Sequence, residues 1–146
     1  MAQAVTEKFE EMVLEVSDDG ITWARLCGLV DIDVTRTANV DTVEIPDCDD
    51  ESLPLSTEKS VRSIEVSVSG TGVWAQQSHG TMSDWFYSSA TKQCRIGNLN
   101  AASGTPEYET GNAFLTDLSN SRTKGQKVTA SIAIEFDGTP TRTNKA

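Results

Sequence analysis

Histidine, cysteine and basic side chains are scarce in this sequence, and each scarcity narrows what the chain can do. His79 is the single histidine, so any Ser-His or Cys-His mechanism would have to run through it. Its neighbours Ser78 and Gly80 read as a solvated loop before a helix, the ordinary place for a histidine without a catalytic task. Cys27, Cys48 and Cys94 are an odd number with no close pair, which is poor material for a disulfide framework and reads as free thiols in a reducing cytoplasm. Together with His79 they make a Cys3His set by count alone. The nearest two, His79 and Cys94, are far apart in sequence, whereas structural zinc sites usually carry one closely spaced ligand pair. Lys and Arg number 12 against 22 Asp and Glu, a formal charge of -10, which excludes nucleic-acid binding by phosphate neutralisation. No segment approaches the roughly 20 apolar residues of a membrane helix. Residues 1–8 carry no apolar run of a secretory signal, so a soluble protein made inside a cell is expected.

What is present is alternation. In Ser63-Ile64-Glu65-Val66-Ser67-Val68-Ser69 the apolar residues fall on one face and the polar ones on the other, the pattern of a strand with one face packed and one wet. Gly70-Thr71-Gly72 then reads as a tight bend before Val73 and Trp74, and not as a phosphate cradle, because no Lys and Ser or Thr open a helix after it. Met12, Leu14 and Val16 alternate likewise. Ser17-Asp18-Asp19-Gly20 supplies a turn before residues 21–26, so the chain opens on a hairpin. Val30, Ile32 and Val34 make a third strand and residues 40–45 a weaker one. Cys94 and Ile96 begin another, residues 107–118 read as extended, and Val128, Ala130, Ile132, Ile134 and Phe136 line one side of the cleanest strand. Thr81 and Asp84 resemble a capping box. Met82, Trp85, Phe86 and Ala90 follow at helical spacing, which predicts one amphipathic helix over about 81–91 with Trp85 and Phe86 in the core.

Residues 46–60 are acidic, carry Pro46 and Pro54 and show no period, so they read as a long loop or arm. Asp47, Asp49, Glu51 and Glu58 match calcium-loop positions, but Ser52 stands where the sharp turn needs Gly, Pro54 stiffens the loop and no helices flank it. A partner-facing loop is the expected use, with Asp47, Asp49, Asp50, Glu51, Leu53 and Leu55 as interface residues. The expected fold class is mainly β: a β-sandwich or rolled barrel of about seven strands with one flanking α-helix and the long arm. It forms one domain over residues 1–146, ending in a flexible tail over 138–146.

Four pieces in order resemble the major tail tube proteins of long-tailed, siphovirus-like phages and of gene transfer agents. They are an N-terminal hairpin ending in Val30-Asp31-Ile32-Asp33-Val34-Thr35, the strand of residues 63–74 with its Gly-x-Gly-aromatic close, the single helix after it, and a final hairpin. That hairpin runs from Gly111-Asn112-Ala113-Phe114-Leu115-Thr116-Asp117-Leu118 through Gly125 into the last strand. The resemblance implies a structural virion protein rather than an enzyme, with no cofactor. Its subunits would form hexameric rings that stack into a tail tube for genomic DNA ejection, and would be assembled in the host bacterial cytoplasm. It further implies as partners other copies of the chain, a tape measure protein, a tail terminator and a distal tail protein, with double-stranded DNA in transit and not specifically bound. The fold would also be similar to the tube proteins of contractile tails and type VI secretion. Independently, Glu11, Glu15, Asp31, Asp33, Glu65 and Glu135 alternate away from the apolar core, and an acidic lining repels phosphate. Asp31, Asp33, Glu65 and Glu135 are therefore the lumen candidates. The alternative is an acidic β-domain acting as a protein-binding or head-tail connector module.

Overall fold

A computed structural model describes residues 2–26 and 28–145, so Cys27 lies outside the described residues. After a one-turn 3-10 helix at Phe9–Glu11 come β1 (Met12–Ser17), β2 (Ala24–Arg25), β3 (Leu29–Ile45), β4 (Ser56–Val73), α1 (Gln76–Ser88), β5 (Lys92–Asn98), β6 (Pro106–Ser121), β7 (Thr129–Phe136) and β8 (Thr141–Asn144). The eight strands make one antiparallel sheet in the order β2-β1-β5-β6-β7-β4-β3, with β8 beside the first residues of β6. The alternation predicted from sequence is what lets this sheet bury one face. Leu14 and Val16 of β1, Val68 of β4, Cys94 and Ile96 of β5, Ala113 and Leu115 of β6, and Ile132 and Ile134 of β7 form one core with Met82 and Trp85 of α1.

The sheet rolls up. β3 stands at the end of the strand order, yet its Ile32 and Val34 pack on the same core as Met12 of β1. Arg36 of β3 reaches across to Glu109 of β6, Nη2 to Oε2, at 2.8 Å. The mainly β, barrel-like architecture expected from sequence is therefore present, with α1 packed against β6. Among the described residues no helix is long and apolar enough to cross a membrane.

Several local readings change. The two glycines do not end β4, which runs on to Val73. A Cβ on Gly72 would lie 2.1 Å from the Gly28 carbonyl oxygen and 2.7 Å from the Val30 nitrogen, so glycine is there to let the bulged start of β3 come close. The helix starts at Gln76 rather than near Thr81, with Ala75 as a cap that offers no side chain. His79 thus sits in the first turns of α1 and not in a loop. α1 stops at Ser89, whose left-handed φ of 57° breaks the ladder. Trp85 is buried as expected and donates from Nε1 to the Ala90 carbonyl at 3.2 Å. Phe86 is 37% exposed, because one residue along a helix turns the side chain by about 100°. Residues 56–60 belong to β4, which shortens the loop to 46–55. The strand read over 21–26 contracts to Ala24–Arg25, because Asp19 Oδ1 accepts from Ile21 and Thr22 nitrogens and holds the turn open past them. The polar end of the chain holds β8, and Lys145 Nζ donates to the Leu99 carbonyl at 3.0 Å.

Candidate functional site

Strand register gathers the sequence-predicted carboxylates on one surface. Asp31 pairs with Thr71, Asp33 with Ser69, Thr35 with Ser67 and Thr37 with Glu65. Directly paired antiparallel residues share a face. The same row continues into β7, where Ser67 faces Glu135, Ser69 faces Ala133 and Thr71 faces Ser131. It ends on β6, where Ala133 meets Asp117 and Ser131 meets Ser119. Asp31, Asp33, Glu65 and Glu135 therefore stand on a single solvent face of β3-β4-β7-β6, joined by Asp117. The other positions in these rows are Ser, Thr or Ala and, opposite Glu135 on β6, the 40% exposed Phe114, with no Lys or Arg among them. The opposite face of the same strands carries Ile32, Val34, Val68, Leu115, Ile132 and Ile134 and is the core. The site is thus the wet side of the sheet whose dry side makes the fold.

The second feature is a projecting arm. β7 covers β4 only over residues 67–73, while the β3–β4 ladder runs on to Ile45 and Ser56. Beyond the shared sheet the two strands form a bare ribbon of roughly 30 Å. Its inward-continuing face carries Val40, Val61 and Ile64, which are 50%, 57% and 46% exposed. At the tip lie Asp47, Asp49, Asp50, Glu51, Leu53 and Leu55, all exposed. Asp47 Oδ1 accepts from the nitrogens of Asp49 at 2.8 Å and Asp50 at 2.9 Å, and Asp50 Oδ1 accepts from the Ser52 hydroxyl and nitrogen. The Asp50 and Asp49 N–H groups hold the Asp47 carboxyl below the usual carboxylate range, and Ser52 does the same for Asp50. Both charges are spent on shaping the loop. Cys48 there is exposed, whereas Cys94 is buried.

Two predicted carboxylates go elsewhere. Glu11 accepts from the Lys8 nitrogen at 3.1 Å in the 3-10 turn. Glu15 is buried on the outer face of β1 and pairs with Arg95 at 3.2 Å. The Arg95 guanidinium lies between Trp23, 4.4 Å from its ring centre, and Tyr108, 4.0 Å away. Sequence reasoning missed this cluster, since its members meet only through the β1-β5-β6 strand order. His79 is a hydrogen-bond acceptor: Trp74 Nε1 donates to its Nδ1 at 2.8 Å.

A cavity of about 30 Å³ lies under Trp74, between Leu26, Met82, Leu118 and Ile132, which is room for little more than water. Among the described residues no three His, Cys, Asp or Glu side chains are grouped to hold a metal. The chemistry on offer is that of surfaces: an acidic sheet and an uncovered ribbon.

The fold has counterparts. No curated protein matches the chain. Among solved structures it is similar to a subunit from the tail of an empty gene transfer agent particle with C6 symmetry, with a TM-score of 0.74 and 12% identity over 94% of this chain and 99% of that one. It is similar also to the SPP1 tail tube protein, with a TM-score of 0.67 and 11% identity over 96% of this chain and 80% of that one. A third likeness is to the tube-terminating cap of the anti-feeding prophage, with a TM-score of 0.63 and 14% identity over 99% and 95% of the two chains. The phage tail tube protein family matches residues 6–142, which takes in the acidic face and the arm alike; the chain belongs to this family and is a structural protein of the virion tail tube, not an enzyme.

Proposed function

We propose that the chain acts as one tube-forming domain: six copies close into a ring, rings stack, and the acidic face lines the channel through which genomic double-stranded DNA passes to the host. The observation that carries this reading is the composition of that face, with Asp31, Asp33, Glu65, Asp117 and Glu135 among mostly hydroxyl side chains, with Ala133 and Phe114, and no cation in the same rows. A wall of this kind gives a moving polyanion no counter-charge to settle on. The sheet edges support ring closure. Among the described residues β3 pairs only with β4, and β6 beyond Ala113 pairs only with β7, so the acidic sheet has an unpaired strand on each side. Joining one copy's β3 to the next copy's β6 is a head-to-tail contact, which generates rings when its rotation closes. The C6 symmetry of the similar gene transfer agent tail supports six as the number. The arm, with Leu53 and Leu55 at its tip, is left to bridge rings. Tape measure, tail terminator and distal tail proteins are the expected neighbours inside and at the ends of such a tube.

The test is charge reversal. Asp33→Lys with Glu65→Lys leaves ring and tube assembly intact, since neither side chain touches the core, but impairs DNA delivery and gives tubes a salt-sensitive affinity for DNA. Parent-like delivery without DNA binding would put these residues outside the channel.

A further inference from the structure

The two ends of β4 differ in charge. At its start, the loop over 46–55 carries Asp47, Asp49, Asp50 and Glu51. At its finish, Val73 pairs with Thr129, which brings the β6–β7 turn alongside with Arg122, Lys124 and Lys127, three of the chain's 12 Lys and Arg. Among the described residues none of these three is in an ion pair, although Arg36, Arg62, Lys92 and Arg95 all are. Beside this turn lies an open groove between the first turns of α1 and the start of β7, lined by Val73, Trp74, His79, Lys127 and Val128. Its wall is fixed: the Trp74 nitrogen donates to the Val128 carbonyl at 2.8 Å, and the indole donates to His79. Its floor is apolar, with Val73 44% and Val128 36% exposed.

The loop is complementary to it. The carboxylates of Asp47 and Asp50 are occupied within the loop, whereas those of Asp49 and Glu51 accept none of those bonds, and Leu53 and Leu55 are each about half exposed. Resting on the stacked-ring reading above, we infer that the groove is the receptor for the arm loop of a second copy in the adjacent ring. Leu53 and Leu55 lie on Val73, Trp74 and Val128, and Asp49 and Glu51 lie toward Lys124 and Lys127. The placement favours this occupant, because loop and groove sit at opposite ends of an 18-residue strand, roughly 55 Å apart. A shift along the strand brings one copy's loop onto the next copy's groove and leaves a free loop and a free groove at the two ends, the condition for continued stacking.

Two charge reversals and their combination test it: Lys124→Glu with Lys127→Glu, Asp49→Lys with Glu51→Lys, and all four together. Each pair alone should shorten tubes in negative-stain images by about tenfold or more at physiological salt, because six copies repeat each small ion-pair loss at every junction. The combined swap should restore parent length to within about twofold. Parent-length tubes from both reversals, or a swap that restores nothing, would overturn the assignment. Deleting residues 49–55 separates this from the broader reading. If the deletion stops stacking and the reversals do not, the arm still bridges rings but the groove is not its receptor. Normal tubes from the deletion would remove the arm from stacking altogether.

Discussion

Along β4, residues 66–73 and residues 56–65 pair with the same partner strand, with one bulge between Ser63 and Val61, and only the first stretch is buried on its apolar side. Val68 is 1% and Val66 6% exposed, while Ile64 and Val61, on the same side of the ladder, are 46% and 57% exposed. Both stretches are hydrogen-bonded to β3 along one edge. The difference lies in the third strand, because β7 pairs with β4 only from Ser67 onward, and in the core layer that the rolled sheet lays over Val68. A ladder fixes which way a side chain points. It does not remove that side chain from water. A two-stranded ribbon alone is marginal in water, so the outer half of this hairpin is a surface that gains stability when another molecule covers it.

The largest way to break the comparison acts on the covered half. Trp85 holds α1 against the core that includes Ile132 and Ile134. Trp85→Ala should cost about 3–5 kcal/mol in chemical denaturation and lower the soluble yield. If the variant is as stable as the parent, the helix is itself an uncovered surface and the contrast is drawn in the wrong place.

A smaller effect is expected where cover is partial. Glu15 keeps only a tenth of its side chain exposed, and its partner Arg95 is held between Trp23 and Tyr108. Glu15→Gln should cost about 1–3 kcal/mol, because the guanidinium keeps its ring contacts but loses its counter-charge. In a double-mutant cycle the cost should largely vanish when Arg95 is first changed to Met. An additive cycle would mean that the two groups do not communicate.

How much of this could be read from the chain depends on whether a feature is local. Most strands and faces were legible, because alternation is a property of consecutive residues; Val30, read with Ile32 and Val34, is instead 56% exposed at the bulge that opens β3. Asp31, Asp33, Glu65 and Glu135 were each assigned to a wet face on that basis. That three strands bring them onto one surface was not legible, since it depends on β3-β4-β7 adjacency. Asp117 was hidden by the register shift between Leu115 and Asp117, which breaks the alternation on β6. The start of α1 was missed because Gln76 to Gly80 offers neither apolar spacing nor a capping side chain. The Glu15–Arg95 pair joins residues far apart in sequence and left no local trace.

Cysteine chemistry sharpens the same contrast with a pH sign. Burial pushes the Cys94 thiol from 9.0 up to about 12, whereas Cys48 is exposed at the arm tip. The neutral thiol is the form that the fold stabilises. Its contribution is whole below pH 9.0 and is lost as pH rises toward about 12, by at most about 1.4 kcal/mol per unit. Cys94→Ala should flatten that part of the stability profile relative to the parent. At neutral pH a maleimide should label Cys48 quickly in the monomer and slowly in tubes, and Cys94 only on unfolding. Equal labelling of Cys48 in both states would leave the arm tip uncovered after assembly.

The smallest expected change in monomer stability is the most telling. Val61 and Ile64 lie on the ribbon face that continues the core side of the sheet, and both stay about half exposed. Changing both to Thr removes apolar surface that is already about half in water and keeps β-branched side chains suited to a strand. Denaturation of the monomer should therefore shift by less than about 0.5 kcal/mol. Assembly should respond very differently. If a neighbouring copy covers this face in the tube, each subunit loses buried apolar area at every contact, at about 25 cal/mol per Å², and the protein concentration needed for tubes should rise by tenfold or more. A large loss of monomer stability would show that the arm folds back on its own body in solution. An unchanged threshold for assembly would leave the acidic loop as the arm's working part and the apolar ribbon as its stalk.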